Sequence, residues 1–169
     1  MTDQDSSDNK YTALLKTSKI NGWSITIFAL LILLINLLSG SILGIIISGL
    51  VIVSGAAELM GRKKLMSGDP LSTVIMPVSQ FGLMVLIWVY CIIQLTTFDP
   101  VTAMAFLDSA SMEQIKAMGR TEEQIHELVA SIIRATYIAV FIVTGLYQGG
   151  LGVYYYRGTR YILAEKQES

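Results

Sequence analysis

Apolar and polar positions divide this chain into long apolar stretches separated by short polar ones. The longest, 20–60, carries a single ionisable side chain, Glu58, and closes on Gly61-Arg62-Lys63-Lys64. An apolar run of ~18 residues or more reads as a membrane span. As one helix, 20–60 would reach roughly 60 Å, about twice the ~30 Å hydrocarbon core. The chain must therefore turn within it, and Ser39-Gly40-Ser41 supplies the small turn formers. The two arms, 20–38 and 42–60, are each about 28 Å long and are predicted to form a helical hairpin. A third apolar stretch covers 73–95 and a fourth 132–156. The fold class that follows is an all-α membrane protein of four transmembrane helices arranged as two hairpins. A helical outer segment, 96–131, joins spans three and four. Residues 1–19 and 157–169 are predicted tails, and 61–72 a basic loop.

Local signals refine this division. Residues 1–9 are acidic and polar, which predicts disorder. Residues 10–19 read either as a short interfacial helix or as a basic lead-in to span one. Trp23 sits where an interfacial aromatic ring is expected. Gly68-Asp69-Pro70 is a turn signal, and Pro77 is expected to kink or open the start of span three. In the outer segment, Asp99-Pro100 reads as a helix start, Ser111-Met-Glu-Gln114 as a capping box and Gly119 as a helix end. Thr121-Glu-Glu-Gln124 is a second capping box. Beyond it, Ile125, Leu128, Val129, Ile132 and Ile133 recur at helical spacing, so that helix is predicted to run unbroken into span four.

Composition agrees with a membrane chain: 53% hydrophobic and 15% charged residues, with mean hydropathy +0.58, where soluble domains carry about a quarter charged residues. Charge placement then orients it. Lys10, Lys16, Lys19, Arg62, Lys63, Lys64, Arg157, Arg160 and Lys166, nine of the twelve basic residues, fall on one side of a four-span topology. Short loops rich in Lys and Arg stay cytoplasmic, so both termini are expected inside a cell membrane, with an acidic outer segment opposite. The expected partners are the bilayer itself, through anionic headgroups at the basic face, and further copies or a larger membrane complex.

Six groups of residues stand out as candidates. Glu58 and Arg62, at i and i+4 in the favourable order, are expected to form an interfacial ion pair, with a proton or cation site as the sharper alternative. Asn36, Gln80, Gln94 and Gln148 are embedded amides. Gln80 and Gln148 lie at matched depths, ~12 Å in from the basic side, and Asn36 and Gln94 both lie near the outer ends. The expected pairs are thus Gln80 with Gln148 and Asn36 with Gln94, as interhelical hydrogen bonds. Gly40, Gly44 and Gly55 form a small-residue stripe with Ser48, and Gly145 and Gly149 a GxxxG, both suited to close helix packing. Tyr154-Tyr155-Tyr156, followed by Arg157, reads as an aromatic belt with a basic anchor. His126 among Glu122, Glu123 and Glu127 reads as a solvated helix face. Cys91, the one cysteine, rules out an internal disulfide and reads as a small packed hydrophobe.

No nucleophile–base pair, embedded acid pair, haem-type histidine pair or phosphate loop is visible, and the bases are too few and too tied to the membrane boundary for nucleic acid. The expectation is a non-enzymatic membrane component without a cofactor or metal, structural, assembling or regulatory in role. The alternative is a small oligomeric transporter or channel lined by the embedded amides. The segment Gly55-Ala-Ala-Glu58-Leu-Met-Gly61-Arg-Lys-Lys-Leu65-Met-Ser-Gly68-Asp-Pro70, with Ser79-Gln80 and Tyr90, resembles a group of uncharacterised small bacterial inner-membrane proteins over about residues 40–95. In that group an asparagine precedes the glutamine, where Ser79 stands here. The resemblance implies a bacterial inner-membrane setting and a two-helix unit joined by a cytoplasmic turn.

Overall fold

The computed structural model describes residues 3–97 and 121–168. All regular structure among them is helical: α1 Asp3–Ser39, α2 Ile42–Met66, α3 Ser72–Thr97 and α4 Glu122–Glu168. All four are long and apolar enough to cross a membrane. Helices suit such a chain because lipid offers no hydrogen-bond partner, so each backbone group must be satisfied within its own segment. Outward faces carry Leu38, Ile42 and Leu146, each three-quarters or more exposed. The buried set includes Ser18, Asn21, Ser48, Glu58, Ser72, Ser79, Gln80, Gln148 and Thr159. Polar groups inside and leucines outside is the arrangement a lipid solvent selects.

The turns obey their local chemistry. Gly40 takes a left-handed φ of +69° between α1 and α2, and Ser41 caps α2 by accepting from the Gly44 N–H at 3.3 Å. Between α2 and α3, Gly68 takes φ +75°. Asp69 Oδ1 accepts the Leu71 N–H at 2.9 Å, while its Oδ2 lies 2.6 Å from Lys64 Nζ. Those two partners, the ammonium first, hold the Asp69 carboxyl below its ordinary range. The capping box at α4 is reciprocal: Gln124 Oε1 accepts the Thr121 N–H at 3.1 Å, and Thr121 Oγ1 accepts the Gln124 N–H at 3.3 Å. α4 then continues without a break, as the spacing predicts.

Three expectations about extent change, and α3 includes Pro77 within its helix. α1 is helical from Asp3, so the acidic stretch is the start of a helix rather than disordered. α2 runs past Gly61 to Met66, which confines the basic loop to a tight turn. The 157–169 tail is helical to Glu168. The readings of Asp99-Pro100, Ser111–Gln114 and Gly119 lie outside the described residues.

The chain divides into two compact units, Met1–Ile87 with Thr144–Ser169, and Trp88–Val143. In the first, α1 and α2 form an antiparallel hairpin. A Cβ on Gly55 would stand 3.1 Å from the Gly22 carbonyl oxygen, so the backbones meet nearly directly, as small residues permit. Further along, Asn36 packs over Gly44. Gly61 receives Met76 of α3, and Gly152 of α4 receives Phe81. Buried positions recur at helical spacing: alternately four and three apart on α4, at Gln148, Gly152, Tyr155, Thr159 and Ile162, and three, four or seven apart on α2, at Gly44, Ser48, Gly55, Glu58, Gly61 and Leu65. That is the seam of a left-handed bundle. Leu14, Leu65, Met76, Tyr155 and Ile162 form one core cluster, which brings the start of α1 and the end of α4 to the same end as the α2–α3 turn.

In the second unit, α3 and α4 meet through aromatic rings. Trp88 and Phe141 stack at 4.5 Å between centroids, Tyr90 and Tyr137 meet edge-on at 6.2 Å, and Trp88 Nε1 donates to the Phe141 carbonyl at 2.9 Å. Cys91 is fully buried.

Candidate functional site

Glu58 is fully buried in the first unit. Each carboxyl oxygen accepts a hydrogen bond from another helix: Oε1 from the Tyr155 hydroxyl of α4, and Oε2 from Asn21 Nδ2 of α1 at 2.8 Å. Asn21 Nδ2 also donates to Gln80 Oε1 of α3, at 3.4 Å. Its Oδ1 accepts from the Tyr147 hydroxyl at 3.1 Å. Both polar atoms of the Asn21 amide are thus engaged. Gln80 Nε2 turns to Ser79 Oγ at 3.5 Å, and Ser79 Oγ donates to the Met76 carbonyl at 2.8 Å. One network therefore joins all four helices through a single carboxyl. A buried carboxyl is tolerated only where hydrogen bonds replace water, and here they come from two other helices.

The expected Glu58–Arg62 ion pair does not form. Glu58 sits on the buried face of α2, where Asn21 and Tyr155 take its two oxygens. Arg62 instead donates from Nε to the Leu15 carbonyl of α1 at 3.1 Å. The amide pairs also differ from expectation. Gln80 bonds to Asn21 rather than Gln148. Gln148, 7% exposed, has its Oε1 buried without a hydrogen-bond partner among the described residues. Asn36 donates to Ser48 Oγ at 3.0 Å, across the hairpin rather than to Gln94. Gln94 lies half-buried on α3.

Among the glycines, Gly44 and Gly55 stand at close contacts within the chain, whereas Gly40 makes the turn with open space around it. Gly149 meets only Met84 Sδ, at ordinary distance for an added Cβ of 3.5 Å, and Gly145 is half-buried. The tyrosine triplet separates: Tyr154 and Tyr156 face outward, while Tyr155 is fully buried. Tyr155, Asn21 and Tyr147 are the site residues that span arithmetic misses. The signal for Tyr155 is its place between Gly152 and Thr159 on the α4 seam.

Chemically, the cluster offers oxygen ligands and hydrogen-bond donors with no nucleophile–base pair. Carboxyl, amide and hydroxyl oxygens would suit a hard cation rather than a soft metal, although each Glu58 oxygen is already engaged. The fold and this site define a multi-pass, four-helix membrane protein with a carboxyl-centred polar core. Comparison with family models, with curated proteins and with solved structures finds no match.

Proposed function

We propose that this chain is a non-enzymatic component of a membrane assembly, a structural, assembling or regulatory subunit of a bacterial inner membrane with both termini in the cytoplasm. One observation carries this reading: Glu58, Asn21, Gln80, Tyr147 and Tyr155 of the first unit are spent on one another, and the outward faces are left apolar. Such a chain presents surfaces to neighbours. The orientation rests on the nine basic residues named above; a reporter fused at Ser109 is expected to be active only outside the cytoplasm.

A second reading, a small oligomeric transporter, draws support from Gln148, whose buried acceptor is open, and from Glu58, an ionisable group inside a span. Purification in mild detergent separates the two. The assembly reading expects a co-purifying protein in fixed ratio, or self-association, that survives Gln148→Leu. If the chain runs alone and conducts a solute in liposomes, with Gln148→Leu abolishing the flux, the transport reading replaces it.

A further inference from the structure

A groove of about 610 Å³ opens between the first turns of α1 and the last turns of α4. Its lining from α1 includes Lys10, and from α4 it runs along Gly150, Val153, Tyr154 and Arg157 to Tyr161. No side chain fills the space beside Gly150, where an added Cβ would meet nothing within 4 Å. Lys10 Nζ lies 4.9 Å above the Tyr161 ring. From Gly150 to Arg157 the helix rises roughly 10 Å, and to Tyr161 roughly 16 Å. The groove is thus apolar at one end and cationic toward the other, along the axis on which a lipid's chain and headgroup are arranged.

We propose that this groove holds one anionic phospholipid, its phosphate against Lys10 and Arg157 and an acyl chain along Val153 and Gly150. Charge complementarity selects this occupant. An apolar helix from a second copy would fit Val153 but would leave two cations facing it unpaired. A zwitterionic lipid would set its own cation beside them. Arg157 offers a planar fork and Lys10 a point charge, both suited to phosphate oxygens. Tyr154 and Tyr161 supply the ring edges expected at the level of the headgroup.

Native mass spectrometry of the purified chain tests the assignment, with phosphatidylglycerol and phosphatidylcholine of identical acyl chains as probes. One phosphatidylglycerol is expected to be retained in preference to phosphatidylcholine. Each basic residue near a lipid surface contributes roughly a fivefold gain in affinity, so Lys10→Gln with Arg157→Gln is expected to weaken binding about thirtyfold. Val153→Trp keeps both cations and fills the groove, and is expected to lose the adduct as well. All three positions are exposed, so the variants retain the bundle. Equal retention of the two lipids, or undiminished phosphatidylglycerol binding by either variant, would overturn the proposal. So would displacement of the lipid by millimolar glycerol phosphate, which would mark a free-phosphate site.

Discussion

In the unit built from Met1–Ile87 and Thr144–Ser169, helices meet through glycine crossings and a hydrogen-bonded carboxyl. In Trp88–Val143, they meet through a stacked Trp88–Phe141 pair and an edge-on Tyr90–Tyr137 pair. Lipid tails are as apolar as leucine, so neither unit gains from hydrophobic burial between helices as a soluble bundle does. Each needs another source of contact energy. Hydrogen bonds are directional and fail when one partner is removed, whereas aromatic packing is broad and tolerates trimming of a polar atom. The first unit should therefore respond sharply to single-atom changes, and the second weakly.

That contrast is broken most severely by Glu58→Leu. It strands the Asn21 amide and the Tyr155 hydroxyl in a buried site, and a loss of about 2 to 3 kcal/mol is expected in SDS-titrated unfolding. Glu58→Gln, which keeps an acceptor oxygen, should lose less than about 1 kcal/mol; equal losses would mean that shape rather than hydrogen bonding holds the site. Gly55→Ala comes next. Its Cβ presses on the Gly22 carbonyl and Thr26 Oγ1, and overpacking of that kind costs about 2 kcal/mol. Gly149→Ala meets only ordinary contact and should leave the thermal midpoint nearly unchanged, which separates the two glycine motifs that look alike in sequence. Tyr155→Phe should lose about 1 kcal/mol, while Tyr154→Phe and Tyr156→Phe lose nothing measurable. In the second unit, Trp88→Phe keeps a stacking ring while removing the Nε1 donor and part of the indole, with an expected loss of about 1 kcal/mol; a loss matching that of Glu58→Leu would erase the contrast.

The smallest effect belongs to the α2–α3 turn. The Asp69 carboxyl is held below its ordinary range by Lys64 and the Leu71 N–H. A lowered folded-state value means that its contribution is present above the unfolded aspartate range, and is lost as pH falls through the folded value. Protease access to the turn should accordingly rise only in strongly acidic buffer, and Asp69→Asn should remove that pH dependence.

Much of the fold is legible in the sequence because turns and caps are written locally. Ser39-Gly40-Ser41, Gly68-Asp69-Pro70 and the Thr121–Gln124 box need no partner to be recognised. The site is less so. Glu58 looks interfacial when its depth is measured from Gly61, but its azimuth on α2 turns it to Asn21 and Tyr155 rather than outward. Asn21, at the edge of an apolar run, reads as a boundary residue until α4 packs beside it. Tyr155 is hidden by its neighbours, since three tyrosines before an arginine satisfy the belt pattern regardless of which one turns inward. Matching amides by depth alone ignores azimuth, which is why Gln80 meets Asn21 and not Gln148. The four–three spacing of small and polar positions on α4, and their three-, four- and seven-residue spacing on α2, carry that azimuth.

The central claim is that the Tyr155 hydroxyl and the Glu58 carboxyl hold each other inside the first unit. A double-mutant cycle with Tyr155→Phe and Glu58→Leu, which removes the acceptor, read by SDS-titrated unfolding of the full chain, tests it most directly. A coupling of about 1 kcal/mol is the expected result, within the range of contacting pairs. Additive losses would show that the two side chains act apart, and the carboxyl-centred core would have to be abandoned.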